Sequence, residues 1–243
     1  MFIVSLPVRS EVMSKLARRI ACVYALLFTL LVWGSWALLV NTREGQFIDD
    51  AAFKGSYWGA ARIDDQARAL LNAVSVPLIV VAIIATLAIA LLRRRPRAAL
   101  WATAVVVGTN VTIQALKHFV FTRPDWGYSQ RVDAANTLPS GHTGVAASIA
   151  VALLLVVPPA WRVIAAWVGA GFTFFMGWST LVCQWHRPSD IIAAAAVAFT
   201  WGFVALAAGA WGTDEYRGLP GSKLARYLLS LGGYLSLALV VML

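Results

Sequence analysis

His186 and Asp190 stand four residues apart, a spacing that on a helix puts both side chains on one face. A carboxylate that accepts a hydrogen bond from one imidazole nitrogen fixes the tautomer and leaves the other nitrogen as a nucleophile. Upstream, His142 follows Pro139-Ser140-Gly141 and precedes an apolar run. Ser140 is suited to cap that run as a helix, and the free N–H groups of a helix start beside a glycine make an anion site. A histidine there can give a proton to a leaving oxygen and later take one from water. Lys117 and Arg123-Pro124 add two cations, the arginine suited to bidentate phosphate contact. Such a set fits hydrolysis of a phosphate ester without a metal. Each element has a plainer reading beside this one. Asp190, in Pro188-Ser189-Asp190, can simply start a helix. Ser140 can be an ordinary N-cap, Lys117 a lysine that snorkels from a span end, and Arg123-Pro124 a turn. For His186–Asp190 taken alone, capping and catalysis weigh equally.

The elements that must position these residues are set by composition. The chain has 243 residues, 60% hydrophobic and 13% charged, with a mean hydropathy of +0.74. Soluble domains carry about 45–50% apolar and about 25% charged residues, so the chain reads as a polytopic membrane protein and any phosphate it handles as a lipid's. The net charge of +9 is no nucleic-acid signature, because the basic residues gather at the ends of apolar runs rather than in an aromatic-laced stripe. The first apolar run, Ile20 to Val40, is too long for a signal-peptide core and is expected to remain as a helix.

Spanning helices need about 20 mainly apolar residues. The expected spans are 18–41, 71–92, 98–117, 142–158, 161–183, 189–211 and 226–243, the last weakened by Gly232-Gly233. With the N-terminus placed in the cytoplasm, the arginines at 93–95, 97 and 162 fall inside, and the whole charge excess falls on that side while the outer loops sum to zero. The positive-inside rule supports this orientation. Lys117, Arg123, His142, His186 and Asp190 then share the outer ends of four helices. Cys22 and Cys183 fall on opposite sides, so no internal disulfide is expected, and both read as buried apolar fillers.

The outer segment 42–70 can hold a short amphipathic helix at the interface, with Tyr57 and Trp58 at headgroup level. Its Asp49-Asp50 and Asp64-Asp65 pairs can hold a divalent cation, but loop carboxylates are more often solvated or capping. His118 reads as interfacial. No His/Cys cluster has metal-ligand spacing.

In order and combination these residues resemble the type 2 phosphatidic acid phosphatases, the lipid phosphate phosphatases. That family's pattern is Lys-x6-Arg-Pro, then Pro-Ser-Gly-His, then Ser-Arg-x5-His-x3-Asp. Pro139-Ser140-Gly141-His142 matches the second element in full, and Ser179, His186 and Asp190 match the third with its spacing. The resemblance covers about residues 71–211. Two departures stand out. Five residues rather than six separate Lys117 from Arg123, a shift of about 100° on a helix, so the helix end must unwind or Lys117 must reach differently. The family's arginine after Ser179 is Thr180, and Arg187 is the expected substitute cation, with Arg131 as second choice.

The resemblance implies an all-α transmembrane bundle, a six-helix phosphatase core with a possible seventh C-terminal span. One membrane domain is expected over 1–243, with the catalytic core at 71–211, the outer loop at 42–70 and an extension at 212–243. It further implies that His186 attacks phosphorus, Asp190 orients it and His142 acts as acid, then base. Lys117, Arg123, Ser140 and the Gly141 N–H hold the oxygens. No cofactor and no metal are expected. The expected partners are a polyprenyl or glycerolipid phosphate and the bilayer, with no nucleic acid and no oligomeric state implied. The expected location is a bacterial plasma membrane, with the site on the extracytoplasmic side. A lipid phosphotransferase, or a non-catalytic lipid-binding or transport protein, stays open beside the hydrolase.

Overall fold

A computed structural model of the chain describes residues 7–56, 65, 67–69, 71, 76–128 and 136–211. All regular structure among the described residues is helical. Helix α1 (Pro7–Gly34) runs on into a π-helical turn, Ser35–Val40, and α2 (Arg43–Gly55) follows. Next come α3 (Val76–Leu92) and α4 (Pro96–Ala115), the latter ending in a second π turn, Leu116–Val120. Then α5 (Gly141–Val156), α6 (Arg162–Val182) and α7 (Pro188–Ala207) complete the bundle.

Among the described residues, four segments are long and apolar enough to cross a membrane: Lys15–Val40, Pro96–Val120, Pro159–Val182 and Pro188–Ala207. Two shorter apolar helices, Ile83–Leu92 and Gly141–Val156, join them in a helical membrane bundle. The expected span at 226–243 lies outside the described residues, as do Tyr57, Trp58, Asp64 and Arg131.

Which residues face outward follows from the solvent. Leu26, Leu27, Leu30 and Leu31 of α1 are exposed, whereas Ser140, Ser189 and Asp190 are fully buried. In water such an apolar surface is a liability; in lipid it is the ordinary exterior. Lipid gives helices no hydrophobic drive to associate, so close backbone approach through small residues must hold them. Accordingly α5 and α7 pack together and both are rich in buried alanines, Ala146, Ala147 and Ala152 on one and Ala193, Ala194, Ala198 and Ala205 on the other. A Cβ added at Gly202 of α7 would lie 2.5 Å from Val151 Cγ1 of α5. Helix α5 is central and touches α3, α4, α6 and α7, while α1 lies along α7. There Tyr24 stacks on Phe203 at 5.1 Å and Phe28 packs on Phe199 at 5.1 Å.

Polar contacts mark the two ends of the bundle. At one end the Arg93 guanidinium donates to the Val156 carbonyl, and the Arg162 guanidinium lies 3.7 Å from the Trp211 ring centroid. At the other end lie the starts of α5 and α7, the ends of α4 and α6, and α2. The described basic cluster at residues 93–97 and Arg162 therefore sit opposite the motif residues. Cys22 and Cys183 form no disulfide; Cys183 is buried, but Cys22 is exposed on α1 rather than serving as a filler.

Helix α2 docks tightly against the π turn of α1. Thr42 caps it, accepting from the Gly45 N–H at 3.0 Å. A Cβ at Gly45 would collide with the Leu38 carbonyl, whereas a Cβ at Gly55 meets nothing within 4 Å. Gly45→Ala is therefore expected to lower stability by about 1–3 kcal/mol, while Gly55→Ala changes it little. Thermal denaturation of the two variants in detergent checks the contrast.

Candidate active site

The start of α7 brings histidine and carboxylate together. His186 Nδ1 lies 3.1 Å from Asp190 Oδ2, and the same oxygen accepts the Arg187 N–H at 3.1 Å. Asp190 thus caps its helix and holds the histidine ring at once, so the capping reading holds and does not exclude the other. With the carboxylate accepting, Nδ1 donates, and in the neutral ring Nε2 keeps its lone pair.

The start of α5 is fixed to the same point. The Ser140 N–H donates to the Asp190 carbonyl at 2.9 Å, and the Ser140 hydroxyl accepts the Thr143 N–H at 3.4 Å. Ser140 is therefore the expected N-cap. Gly141 follows it with open space where a Cβ would stand. His142, one residue on, packs its ring 5.4 Å from the Trp185 ring and lies within electrostatic range of His186 and Lys117. Lys117 in turn lies within range of Asp190. Its helix end does not unwind. It widens into the π turn, closed by a 2.8 Å bond from the Phe121 N–H to the Leu116 carbonyl, and such turns mark functional positions in many helices. The wider turn lets a lysine displaced by one position still face the site.

Arg123 is held from several sides. Trp36 Nε1 donates to the Thr122 carbonyl at 2.9 Å, and the Gln46 amide donates to the Pro124 carbonyl at 2.7 Å. The Asn136 amide bonds the carbonyls of Lys117, Phe121 and Leu138, across a cis Leu138–Pro139 peptide. The guanidinium reaches Asp49 through Nη2 at 3.4 Å. Its Nε and Nη1 are buried with no hydrogen-bond partner among the described residues. A buried cation with two idle donor atoms is costly unless an acceptor arrives. Burial, and then Arg187 nearby, pull the Arg123 pKa down, against Asp190, Asp49 and Asp50.

Arg187 joins this cluster, within electrostatic range of Arg123. Its Nη2 lies 3.7 Å from Asp50 Oδ1, and its guanidinium lies 5.1 Å from the Phe53 ring centroid. Thr180 itself is buried, its hydroxyl donating to the Gly177 carbonyl at 2.7 Å. His118 stays outside the cluster, exposed and 3.1 Å from Gln114 Oε1.

The acidic doublet of α2 departs from expectation. Asp49 and Asp50 are not solvated: they are 2% and 6% exposed. Asp49 Oδ1 accepts the Ser189 N–H at 3.0 Å and Oδ2 the Ser189 hydroxyl at 2.7 Å, so the capping alternative is correct for it. Nor does α2 merely lie at an interface: its buried face covers the site. Gln184, at φ +56°, secures the end of α2 through the Phe53 carbonyl and the Ser56 hydroxyl. The motif pattern singles out neither Gln184 nor Asn136. Among the described residues no three His, Cys, Asp or Glu side chains group as a metal site.

A family model described as the PAP2 superfamily matches residues 98–213. The matched segment, a little under half of the chain, is similar to that superfamily. The match runs from α4 to just past α7 and takes in every motif residue named above. It brings phosphatase activity on phosphate esters as the activity class. No curated protein and no solved structure matches the chain.

Burial raises the Asp49 carboxyl to about 6, with Asp190 adding to the rise and Ser189 and Arg123 opposing it. Folded Asp49 then holds a proton between about pH 4 and 6 that the unfolded chain has lost. Its contribution to stability falls as pH rises through that window, by about 3 kcal/mol in all. On acidification from about pH 7 to about pH 5, the wild type should gain stability relative to Asp49→Asn. Paired thermal melts at the two pH values test this, and parallel curves would refute it.

Proposed function

We propose that the protein is an integral-membrane lipid phosphate phosphatase that works through a phosphohistidine. The observation that carries the reading is the pairing of His186–Asp190 with a buried Arg123 whose Nε and Nη1 lack partners. An oriented nucleophile beside idle cationic donors fits a phosphoryl centre, where positioning and charge neutralisation supply most of the catalysis.

In the first step His186 Nε2 attacks phosphorus. The N–P bond forms as the bond to the leaving oxygen breaks, and His142 gives that oxygen its proton. In the second step His142 takes a proton from water, whose oxygen displaces the histidine and releases inorganic phosphate. Lys117, Arg123 and Arg187 neutralise the phosphoryl oxygens, with the Gly141 N–H at the helix start and the Ser140 hydroxyl proton as further donors. The substrate is a phosphomonoester or diphosphate of a polyprenyl or glycerolipid, because the site lies at one end of an apolar bundle where a headgroup can react while its tail stays in lipid. The basic residues at the opposite end favour an extracytoplasmic site. No metal takes part.

Phosphate release from phosphatidic acid and a polyprenyl diphosphate in detergent micelles tests the reading. His186→Ala should abolish it, and His142→Ala or Arg123→Ala should lower it on the order of 10²-fold or more. Activity should survive EDTA. Phosphate passed to a second lipid instead of water would identify a transferase, and no turnover in any assay would sink the enzymatic reading. Arg187→Ala should also lower turnover on the order of 10²-fold. Full activity of that variant, with Arg123→Ala inactive, would show that Arg187 does not replace the cation absent at Thr180.

A further inference from the structure

Asp49 lies outside the matched family segment, yet it is among the most buried ionisable residues described. Its two oxygens make three contacts. Oδ1 and Oδ2 take the Ser189 N–H and hydroxyl, and Oδ2 also takes Arg123 Nη2. Ser189 lies between His186 and Asp190, in the first turn of α7. One carboxylate therefore ties the arginine directly to the turn that carries the nucleophile.

Capping α7 takes only Asp49 Oδ1, on the Ser189 N–H, and leaves Oδ2 to the Ser189 hydroxyl and Arg123; docking of α2 rests on other groups as well. Asp190 Oδ2 also caps α7 by accepting the Arg187 N–H. Helix α2 is docked by other groups: Gln46 to the carbonyls of Val40 and Pro124, Ser56 to the Leu181 carbonyl, and Gln184 to Phe53 and Ser56. Burying a carboxylate is costly, and what the burial achieves here beyond that cap is a fixed guanidinium. An arginine held by one Nη keeps its other donors in a set plane, and a planar fork binds phosphate well only when its plane is set.

We propose that Asp49 is a positioning residue for the reaction: it holds Arg123 by Nη2, leaving Nε and Nη1 to the substrate's phosphoryl oxygens, and fixes that arginine relative to His186. The inference rests on the function proposed above. Asp50 is the internal contrast. It shares its charge with Lys54 at 2.7 Å and meets Arg187 only at 3.7 Å, so its hold on an arginine is weaker.

A test that needs no lipid uses orthovanadate, a phosphate analogue, titrated calorimetrically into the purified full chain in detergent. Asp49→Asn should weaken binding about 10-fold, and Arg123→Ala at least as much. The double variant should bind no worse than Arg123→Ala, since Asp49 acts through that arginine. Asp49→Glu should recover part of the loss, and Asp50→Asn should cost less than about 3-fold. Asp49→Asn binding like the wild type, or its loss adding in full to that of Arg123→Ala, would overturn the proposal. If Asp49→Asn does not fold, Asp49→Glu takes its place: weaker binding in the wild-type background but not in the Arg123→Ala background is the expected result, and equal losses in both overturn it. Wild type and Arg123→Ala binding orthovanadate alike would instead remove the anion site itself, and the proposed function with it.

Discussion

Asp190 joins the two helix starts on which everything else at this end of the bundle depends. Its backbone carbonyl holds the Ser140 N–H of α5, and one carboxylate oxygen holds both the Arg187 N–H and His186 Nδ1. The side chain is fully buried, so these contacts face little competition from water, and the low dielectric strengthens them. Removing the carboxylate would uncap α7, free the imidazole to turn, and leave three cationic side chains facing one another with less to balance them. Capping and orientation are therefore one interaction, and local helix stability cannot be separated here from the chemistry the site is built for.

Around that point the bundle inverts the habits of a soluble protein. Leucines lie outside, small residues make the seams, and the charged side chains converge where four helix ends and α2 meet. Opposite charges alternate from Lys54 to Asp50 to Arg187 on one side, and on the other Asp49 pairs with Arg123 while it accepts the Ser189 hydroxyl. Such a network is tolerable in a nearly dry setting only when its members are paired or have an incoming partner. Arg123 meets the second condition, with donors still open.

Much of this was legible in the sequence. The apolar runs give the membrane helices directly, because lipid imposes one length and one composition on each. His186 and Asp190 share a face by spacing alone, and Ser140 announces a helix start by its chemistry. The π turn at Leu116–Val120 was visible only as a spacing anomaly, since periodicity at one residue does not distinguish an unwound end from a widened one. The acidic pair of α2 is visible as a doublet that leaves solvation, capping and cation binding open; Asp49 caps, and neither carboxylate is solvated. Nothing local marks Asp49 as buried, since its partners Ser189 and Arg123 are more than 70 residues away and meet it only through tertiary packing. Gln184 and Asn136 also escape: most of their bonds run to backbone carbonyls, which carry no side-chain signature.

The widened end of α4 separates two kinds of order within one helix. Up to Ile113 the inward residues Val105, Thr109 and Ile113 recur at the ordinary α-helical interval and fill the core. Beyond it, the extra residue of the bulge resets the phase without disturbing that seam. A length change between Lys117 and Arg123 can therefore be accommodated at the rim, where one turn rotates, instead of twisting the whole helix against its neighbours. The bundle's interior and the spacing of its charged residues are in this sense free to vary independently.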